Sequence, residues 1–418
     1  MEKEKVLTVV VDHKKKGHWS TEEVAAELKE LVIACQGEVI DQVICRLDNL
    51  TAPYLIGKGK VSEIASLCSV IQVDTVVFSH DLKGSQQRNL EEIINIKTID
   101  RTQLILDIFA RHATSQEGKM QVELAQLEYL LPRLVGKGIA LSRLGGGIGT
   151  LGPGETKLEV DRRKIAIRIA KLKKGLDEIV SNRALNRKRR KEKGVPSISV
   201  IGYTNAGKST LLNKLTDARQ VTRDGLFTTL DSLSRQLILS NHQKVVISDT
   251  VGFMHNLPHH LIEAFKATLE EVAEADLLLH VLDISHPHYR NLYDSVLEVS
   301  GELNSLNKPV ITALNKIDKL EDKTWFQELQ DVIKNPVAVS AKTGENLDVL
   351  LRKIEVMLSS LITNITVTIP INRMDLVSLA HEDGQVYSVK YYNDYIYLRA
   401  ALPRKLAGLF QKIQIKKE

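Results

Sequence analysis

Ser197-Ile198-Ser199-Val200-Ile201-Gly202-Tyr203-Thr204-Asn205-Ala206-Gly207-Lys208-Ser209-Thr210 is the stretch on which the fold turns. Its opening, with Ile198, Val200 and Ile201, reads as a strand, and the run Thr210–Leu215 reads as a helix. Between them Gly202–Ser209 fits G-x-x-x-x-G-K-[ST]. In a strand–loop–helix setting the loop N–H groups from Gly202 through Gly207 face phosphate oxygens. Lys208 reaches the β and γ oxygens, Ser209 can ligate Mg2+, and Thr210 follows in the first helical turn. The motif alone is shared by many nucleotide-binding proteins.

Three further segments narrow it. Strand Lys244–Ser248 runs into Asp249-Thr250-Val251-Gly252, where the carboxylate can act on Mg2+ through water and the glycine N–H can meet a γ-phosphate. Strand Val310–Leu314 runs into Asn315-Lys316-Ile317-Asp318. A carboxylate at Asp318 accepts from both the ring N–H and the exocyclic amine of guanine, a donor pair that adenine lacks, and Lys316 can lie along the base. Strand Val337–Val339 closes with Ser340-Ala341-Lys342, whose Ala341 N–H is placed for guanine O6. All lie at the C-terminal ends of predicted strands, where open α/β sheets bind ligands, so the reading is GTP or GDP rather than ATP. In Leu226-Phe227-Thr228-Thr229-Leu230-Asp231, Thr229 is the expected mobile Mg2+ ligand, with Thr228 the alternative and Phe227 beside them. Lys208, Thr229 and Gly252 are the candidate catalytic residues, for phosphoryl transfer to water. Phe253 follows Gly252, and a phenyl ring cannot orient a water, so slow intrinsic hydrolysis is expected. Asn205 either holds a K+ ion or merely tolerates the loop backbone.

Outward from this block, residues 1–113 alternate β-branched runs (Val6–Val11, Val39–Cys45, Thr75–Phe78) with helical stretches near Thr21–Cys35 and Ser85–Ile94. They are expected to form a small α/β domain with a largely parallel sheet. Residues 114–194 read as an antiparallel helical hairpin, with stripes Met120, Leu124, Leu127, Leu131, Leu134 and Leu158, Ile165, Ile169, Leu172, Leu176, Ile179. Its tip, Gly145 to Thr156, is half glycine and is either a flexible connector or a backbone surface for close approach. Residues 195–362 form the predicted Ras-like P-loop domain. Residues 363–418 read strand, helix, strand, strand, helix, a small α+β domain. The fold class is thus multidomain α/β.

The 418 residues carry a net charge of +5, yet Lys157–Lys193 holds 15 basic and 5 acidic residues, which leaves the remainder at −5. A basic segment of that density suits a polyanion or a solvated helix face. The candidate RNA contacts are Arg143, Gly146 and Gly149 in the loop, with Lys173, Arg187, Lys188, Arg189, Arg190 and Lys191 on the helix. Five of the ten tyrosines fall between Tyr387 and Tyr397 on two strands. Such rings stack bases or pack a sheet face, and the mildly basic setting favours packing. Cys35, Cys45 and Cys68 lack C-x-x-C spacing, so neither a disulfide framework nor a zinc site is suggested. No stretch approaches the roughly 20 apolar residues of a membrane span, and a monomer in the cytoplasm is expected.

The chain resembles the HflX-type GTPases. The resemblance rests on Tyr54-Leu55-Ile56-Gly57-Lys58-Gly59-Lys60, Arg143-Leu144-Gly145-Gly146-Gly147, Gly152-Pro153-Gly154-Glu155-Thr156, Asp161-Arg162-Arg163, Phe227–Asp231 and Asp249–Phe253. Thr228 stands where relatives usually carry alanine. The resemblance implies binding to the large ribosomal subunit and its RNA, splitting of stalled ribosomes under heat or other stress, ribosome-stimulated GTP hydrolysis, and a hairpin that reaches toward the peptidyl-transferase centre. Lys58 and Lys60 either add to an RNA surface or flank a tight glycine turn. The alternatives are a switch acting on protein effectors and an RNA-remodelling factor with a further ATPase activity. A tRNA-modifying GTPase is disfavoured because the last cysteine is Cys68.

Overall fold

The computed structural model describes the chain apart from residues 1–2, 14–18, 135–156, 193, 217–232, 242, 256–257, 259–260, 262–263, 304, 306, 322–328, 330–331 and 414–418. It divides into two compact units, one built chiefly from the chain up to Glu178 and the other chiefly from Ile179 onward.

The first unit holds β1 (Lys5–His13), α1 (Thr21–Ala34), β2 (Glu38–Leu47), α2 (Lys58–Ile71), β3 (Thr75–Phe78), α3 (Gly84–Ile94), β4 (Lys97–Asp100) and α4 (Arg101–His112). The four strands pair in parallel in the order β2-β1-β3-β4. Leu7, Val9, Val76 and Phe78 are fully buried, as expected when helices cover both faces of a parallel sheet. Ser20 opens α1 with a capping box, its hydroxyl accepting from the Glu23 N–H while the Glu23 carboxylate accepts from the Ser20 N–H. The Gly57–Lys60 segment departs from the expected tight turn. Gly57 caps α2 with extended backbone, Lys58 and Lys60 occupy its first turn, and Lys60 pairs with Glu63 at 2.6 Å. The residue with left-handed backbone there is Leu55 (φ 68), held by paired main-chain hydrogen bonds to Thr51.

Two more helices follow, α5 (Gln116–Leu130) and the long α6 (Lys157–Glu192). Val122, Ala125 and Tyr129 of α5 are buried, and α5 packs on α4. Toward α6, the guanidinium of Arg168 donates twice to Glu123, at 2.6 and 2.7 Å, and Lys173 pairs with Glu128 at 2.8 Å. A Cβ on Gly175 would lie 2.5 Å from Met120 Cε, so the helices approach closely at that level. Leu172 and Leu176 are buried, while Ile165, Ile169 and Ile179 are half-buried. Leu158, Leu134 and the glycine-rich tip add nothing to this pairing that can be stated: the tip lies outside the described residues, as does the Leu158 side chain.

The second unit carries β5 (Ser197–Ile201), α7 (Lys208–Leu215), β6 (Ser234–Ile238), β7 (Lys244–Asp249), α8 (Lys266–Glu274), β8 (Leu277–Asp283), α9 (Tyr289–Glu302), β9 (Val310–Asn315), β10 (Pro336–Ala338) and α10 (Leu347–Leu358). The six strands run β10-β9-β8-β5-β7-β6, all parallel except the edge strand β6. Leu277, Leu279, Val281, Ile311 and Ala313 are fully buried in the centre, each large side chain contributing about 1.5–3 kcal/mol relative to exposure. Then come β11 (Ile362–Pro370), α11 (Met374–Asp383), β12 (Gln385–Tyr391), β13 (Tyr395–Pro403) and α12 (Arg404–Ile413). The three strands are antiparallel in the order β11-β13-β12, and α11 and α12 cover the face bearing Val367, Leu398 and Leu402.

Candidate functional site

The C-terminal ends of β5, β7, β8, β9 and β10 converge on one polar cluster. At its centre Gly202–Ser209 joins β5 to α7, and Lys208 is the first residue of that helix. Gly207 has a left-handed backbone (φ 94), and a Cβ there would lie 2.3 Å from Asn315 Nδ2. Only glycine permits that approach. Asn205 also has positive φ (60) and is exposed, a conformation asparagine tolerates.

Lys208 is buried, and its ammonium donates to the carbonyls of Gly202 at 3.0 Å and Tyr203 at 2.7 Å. Burial pulls its pKa down to about 8, opposed by the carboxylate of Asp249. Burial pushes the Asp249 carboxyl up in turn, opposed by Lys208, by the Ser209 hydroxyl and by the Thr250 N–H. Each ion is thus stabilised chiefly by the other in a dry site. Ser209 Oγ donates to Asp249 Oδ2 at 2.8 Å, so a hydroxyl and a carboxylate lie together as hard oxygen donors. They fit Mg2+, with Ser209 binding directly and Asp249 through water; a bound ion would supply Lewis-acid stabilisation of phosphate charge.

The segment after Asp249 is fastened to the phosphate loop. Thr250 Oγ1 donates to the Val200 carbonyl at 2.6 Å, Thr204 N–H to Phe253 O at 2.9 Å, and Phe253 N–H to Gly202 O at 3.0 Å. Phe253 is buried at 2% exposure, and Tyr203 Oη accepts from the His255 N–H at 3.0 Å. Val251 is also buried. A Cβ at Gly252 would lie 2.8 Å from Thr204 Cγ2 and 3.1 Å from Lys208 Nζ, so this position has to be glycine to sit against the loop.

On the base-recognising side, Asn315 spans two loops. Its Nδ2 donates to Ala206 O at 2.8 Å, and its Oδ1 accepts from the Ala341 N–H at 2.9 Å. The Ala341 N–H expected for guanine O6 is therefore already engaged by Asn315, because Asn315 is buried and its amide oxygen needs a donor. Asp318 Oδ1 accepts from Ser340 Oγ at 2.6 Å, which orients the carboxylate. Lys316, left-handed at φ 67, pairs with Asp283 at 2.7 Å and donates to Asn205 O at 2.8 Å. Lys342 is exposed beside them. Asp283 escaped the sequence reading, although its place at the C-terminal end of β8 is the signal that could have found it.

Family models match almost the whole chain: a GTP-binding GTPase N-terminal region over residues 22–110, a GTP-binding GTPase middle region over 112–190, a 50S ribosome-binding GTPase over 197–316, and the HflX C-terminal domain over 327–400. GTPase HflX of Caldanaerobacter subterraneus is 48% identical over 80% of this chain and 77% of its own. GTPase HflX of Lacrimispora saccharolytica is 43% identical over 91% and 89%, and that of Escherichia coli 42% over 76% and 75%. The chain belongs to the HflX family. It is a GTP-binding protein and a GTPase. Among solved structures, a GTP-binding protein from Sulfolobus solfataricus in complex with GDP is 26% identical over 85% of this chain and 99% of its own, with a TM-score of 0.43.

Of the expected site residues, Gly202 through Thr210, Asp249 through Gly252, Asn315, Lys316, Asp318 and Ser340 through Lys342 come together at this end of the sheet. Phe227, Thr228 and Thr229 lie outside the described residues, as do Arg143, Gly146 and Gly149. On the basic helix one of the candidate RNA contacts, Arg187, is buried, whereas Lys173 and Lys191 are exposed cations in surface ion pairs. Arg187 is only 8% exposed and pairs with Glu270 at 2.9 Å and Glu271 at 3.4 Å on α8. Lys191 pairs with Glu274 at 2.7 Å, and Lys173 with Glu128. Composition counted Arg187 as available, but its burial against two glutamates distant in sequence sets it apart from the exposed lysines, whose surface pairs are weak. Lys188 and Arg189 are exposed and Arg190 half-buried, with no ion pair among the described residues. No described helix is long and apolar enough to cross a membrane.

Proposed function

We propose that this HflX-family GTPase binds the large ribosomal subunit in its GTP form and splits or rescues stalled ribosomes under stress such as heat, acting as a cytoplasmic monomer. The observation that carries this most directly is the match of residues 197–316 to a 50S ribosome-binding GTPase, supported by the exposed Lys188 and Arg189 and the half-buried Arg190. Ser209 would hold Mg2+ directly and Asp249 through water, with Thr229 the expected further ligand, and the ion would offset charge on the phosphate oxygens. Gly252 N–H meets the γ-phosphate. The buried Phe253 contributes no group to orient water, so hydrolysis is slow until charge is offset from outside. The ribosome supplies that stimulus, and a K+ ion beside Asn205 is a second source. Hydrolysis then serves release, because GTP binding by itself biases the segments around Asp249–Phe253 toward the bound form. Helix α8 follows those segments and holds α6 through Arg187 and Lys191, a direct link from the nucleotide to the basic helix.

GTP turnover measured with and without purified large subunits tests the proposal. Strong stimulation that is lost when Lys188, Arg189 and Arg190 are neutralised supports it. No stimulation leaves a GTPase whose partner is a protein effector. Exchange of K+ for Na+ without subunits tests the ion: unchanged turnover removes K+ from the mechanism. Splitting that fails with a non-hydrolysable GTP analogue removes the release step.

A further inference from the structure

We propose that the cleft between the β6–β7 hairpin and the C-terminal sheet holds an unstacked base of single-stranded RNA, with preference for a base carrying an exocyclic amine. The cleft has a volume of about 210 Å3 and is lined by Asn241, Gln243, Asn364, Asp383, Gln385 and Tyr387, among others. Its most buried polar residue is Gln243, 7% exposed, whose side-chain oxygen and nitrogen both lack a hydrogen-bond partner among the described residues. The main chain holds this residue in place. Its N–H donates to Asn241 Oδ1 at 3.0 Å and its carbonyl accepts from Leu239 N–H at 3.0 Å. A buried amide with neither atom paired is costly, and a ligand presenting an adjacent donor and acceptor removes that cost. An adenine edge does so, since a glutamine amide pairs with adenine through two hydrogen bonds.

The wall beside Gln243 suits a base. Strand β12 is the edge of its sheet, and its pairing with β13 skips from Val386 to Ser388, so Tyr387 is the extra residue of a bulge. Bulges redirect a side chain, here at the rim of the cleft. Tyr387 is 51% exposed, and the Arg399 guanidinium lies 5.9 Å from its ring centroid. Tyr391 ends the strand at 56% exposure with Lys390 exposed beside it, and Tyr392 follows at 47%, its ring stacked on Tyr395 at 4.6 Å. The mildly basic composition pointed to packing, but these three rings face solvent in company with a cation, the arrangement on which bases stack. Asp383 among the lining residues repels phosphate and accepts from an exocyclic amine, so the base edge enters while phosphates follow Lys390 and Arg399 outside. The bulge and the edge lysine work against addition of a peptide strand to β12.

The proposal rests on RNA being a partner of this family member, and the test separates the two. Fluorescein-labelled hexanucleotides of A, C and U are titrated against the full-length protein by fluorescence anisotropy. The expected result is A or C binding at least about fivefold tighter than U. Asp383→Ala removes that preference and leaves U binding unchanged, because the Gln243 amide pairs with the edge of any of the three bases and only the carboxylate asks for an amine, while Tyr387→Ala weakens all three by about tenfold with unaltered melting temperature. Equal affinity for the three RNAs, or a preference that survives both variants, overturns the proposal. So does binding of a base-free, strand-forming peptide with no binding of RNA. Sedimentation with large subunits is measured in parallel. If subunits bind and no hexanucleotide does, the cleft fails and the ribosomal reading stands. If hexanucleotides behave as expected and subunits do not bind, the reverse holds.

Discussion

The nucleotide end of the six-stranded sheet and the last third of α6 use charge in opposite ways. At the first, a handful of polar groups from five strand ends lock onto one another: Lys208 with the Gly202 and Tyr203 carbonyls, Ser209 with Asp249, Asn315 with Ala206 and Ala341, Lys316 with Asp283. At the second, cations dominate the sequence, yet Arg187 and Lys191 are held by α8 and only Lys188, Arg189 and Arg190 lack an ion pair among the described residues. Motif spacing reports where groups converge, whereas a count of charges does not report which of them are spoken for. The largest effect that would break this contrast comes from Arg187. If it is a buried structural cation, Arg187→Ala strands Glu270 and Glu271 and costs about 3–5 kcal/mol, read as a large drop in melting temperature. If it is an RNA contact instead, stability stays put and only ribosome affinity falls.

Asn315 sharpens the other side. Asn315→Ala removes a donor to Ala206 O and an acceptor for Ala341 N–H, both in buried surroundings, at about 1–3 kcal/mol each. GDP affinity measured by a fluorescent-nucleotide titration should fall by at least about 30-fold, with both loops loosened together. A loss confined to threefold or less would mean that the two loops are held independently of this side chain.

The contrast also explains what the sequence made legible. Each nucleotide motif is local, so Gly207, Lys208, Asp249 and Asp318 could be assigned with their roles before any coordinates. Asp283 had only its place at the end of an apolar strand to mark it, and its partnership with Lys316 needed β8 placed beside β9. The parallel first sheet was readable from its β-branched runs, but α2 was not, since two glycines at its start suggested a turn. The exposure of Tyr387 on β12 was illegible for a related reason: which face a strand buries depends on a bulge that no periodicity announces.

The Lys208 ammonium offers a pH test of the dry site. In the nucleotide-free protein its pKa is about 8, below the ordinary lysine value, so above pH 8 the group is mostly neutral. Phosphates favour the charged form, and binding therefore takes up a proton in that range. GDP affinity should be flat below pH 8 and fall by up to about tenfold per pH unit above it. The stability of the nucleotide-free protein runs the other way. Between pH 8 and about 10.4 the unfolded chain holds more protons on this lysine than the folded one, so this group's contribution to stability rises with pH. Affinity that stays constant to pH 9.5 would place Lys208 in a wetter environment than its burial indicates.

The smallest effects belong to the exposed end of α6, and they carry the comparison furthest. Lys188→Ala, Arg189→Ala and Arg190→Ala touch no ion pair among the described residues, so each should change stability by no more than about 0.5 kcal/mol. If they face ribosomal phosphates, each lowers the slope of log affinity against log salt for large-subunit binding by about 0.7–0.9, roughly a threefold loss per fourfold change in salt. Arg187→Ala should leave that slope nearly untouched while lowering the melting temperature. A salt slope that shifts equally for Arg187 and for Lys188 would mean that α8 lets go of the helix on the ribosome, and that the buried pair is itself part of the switch.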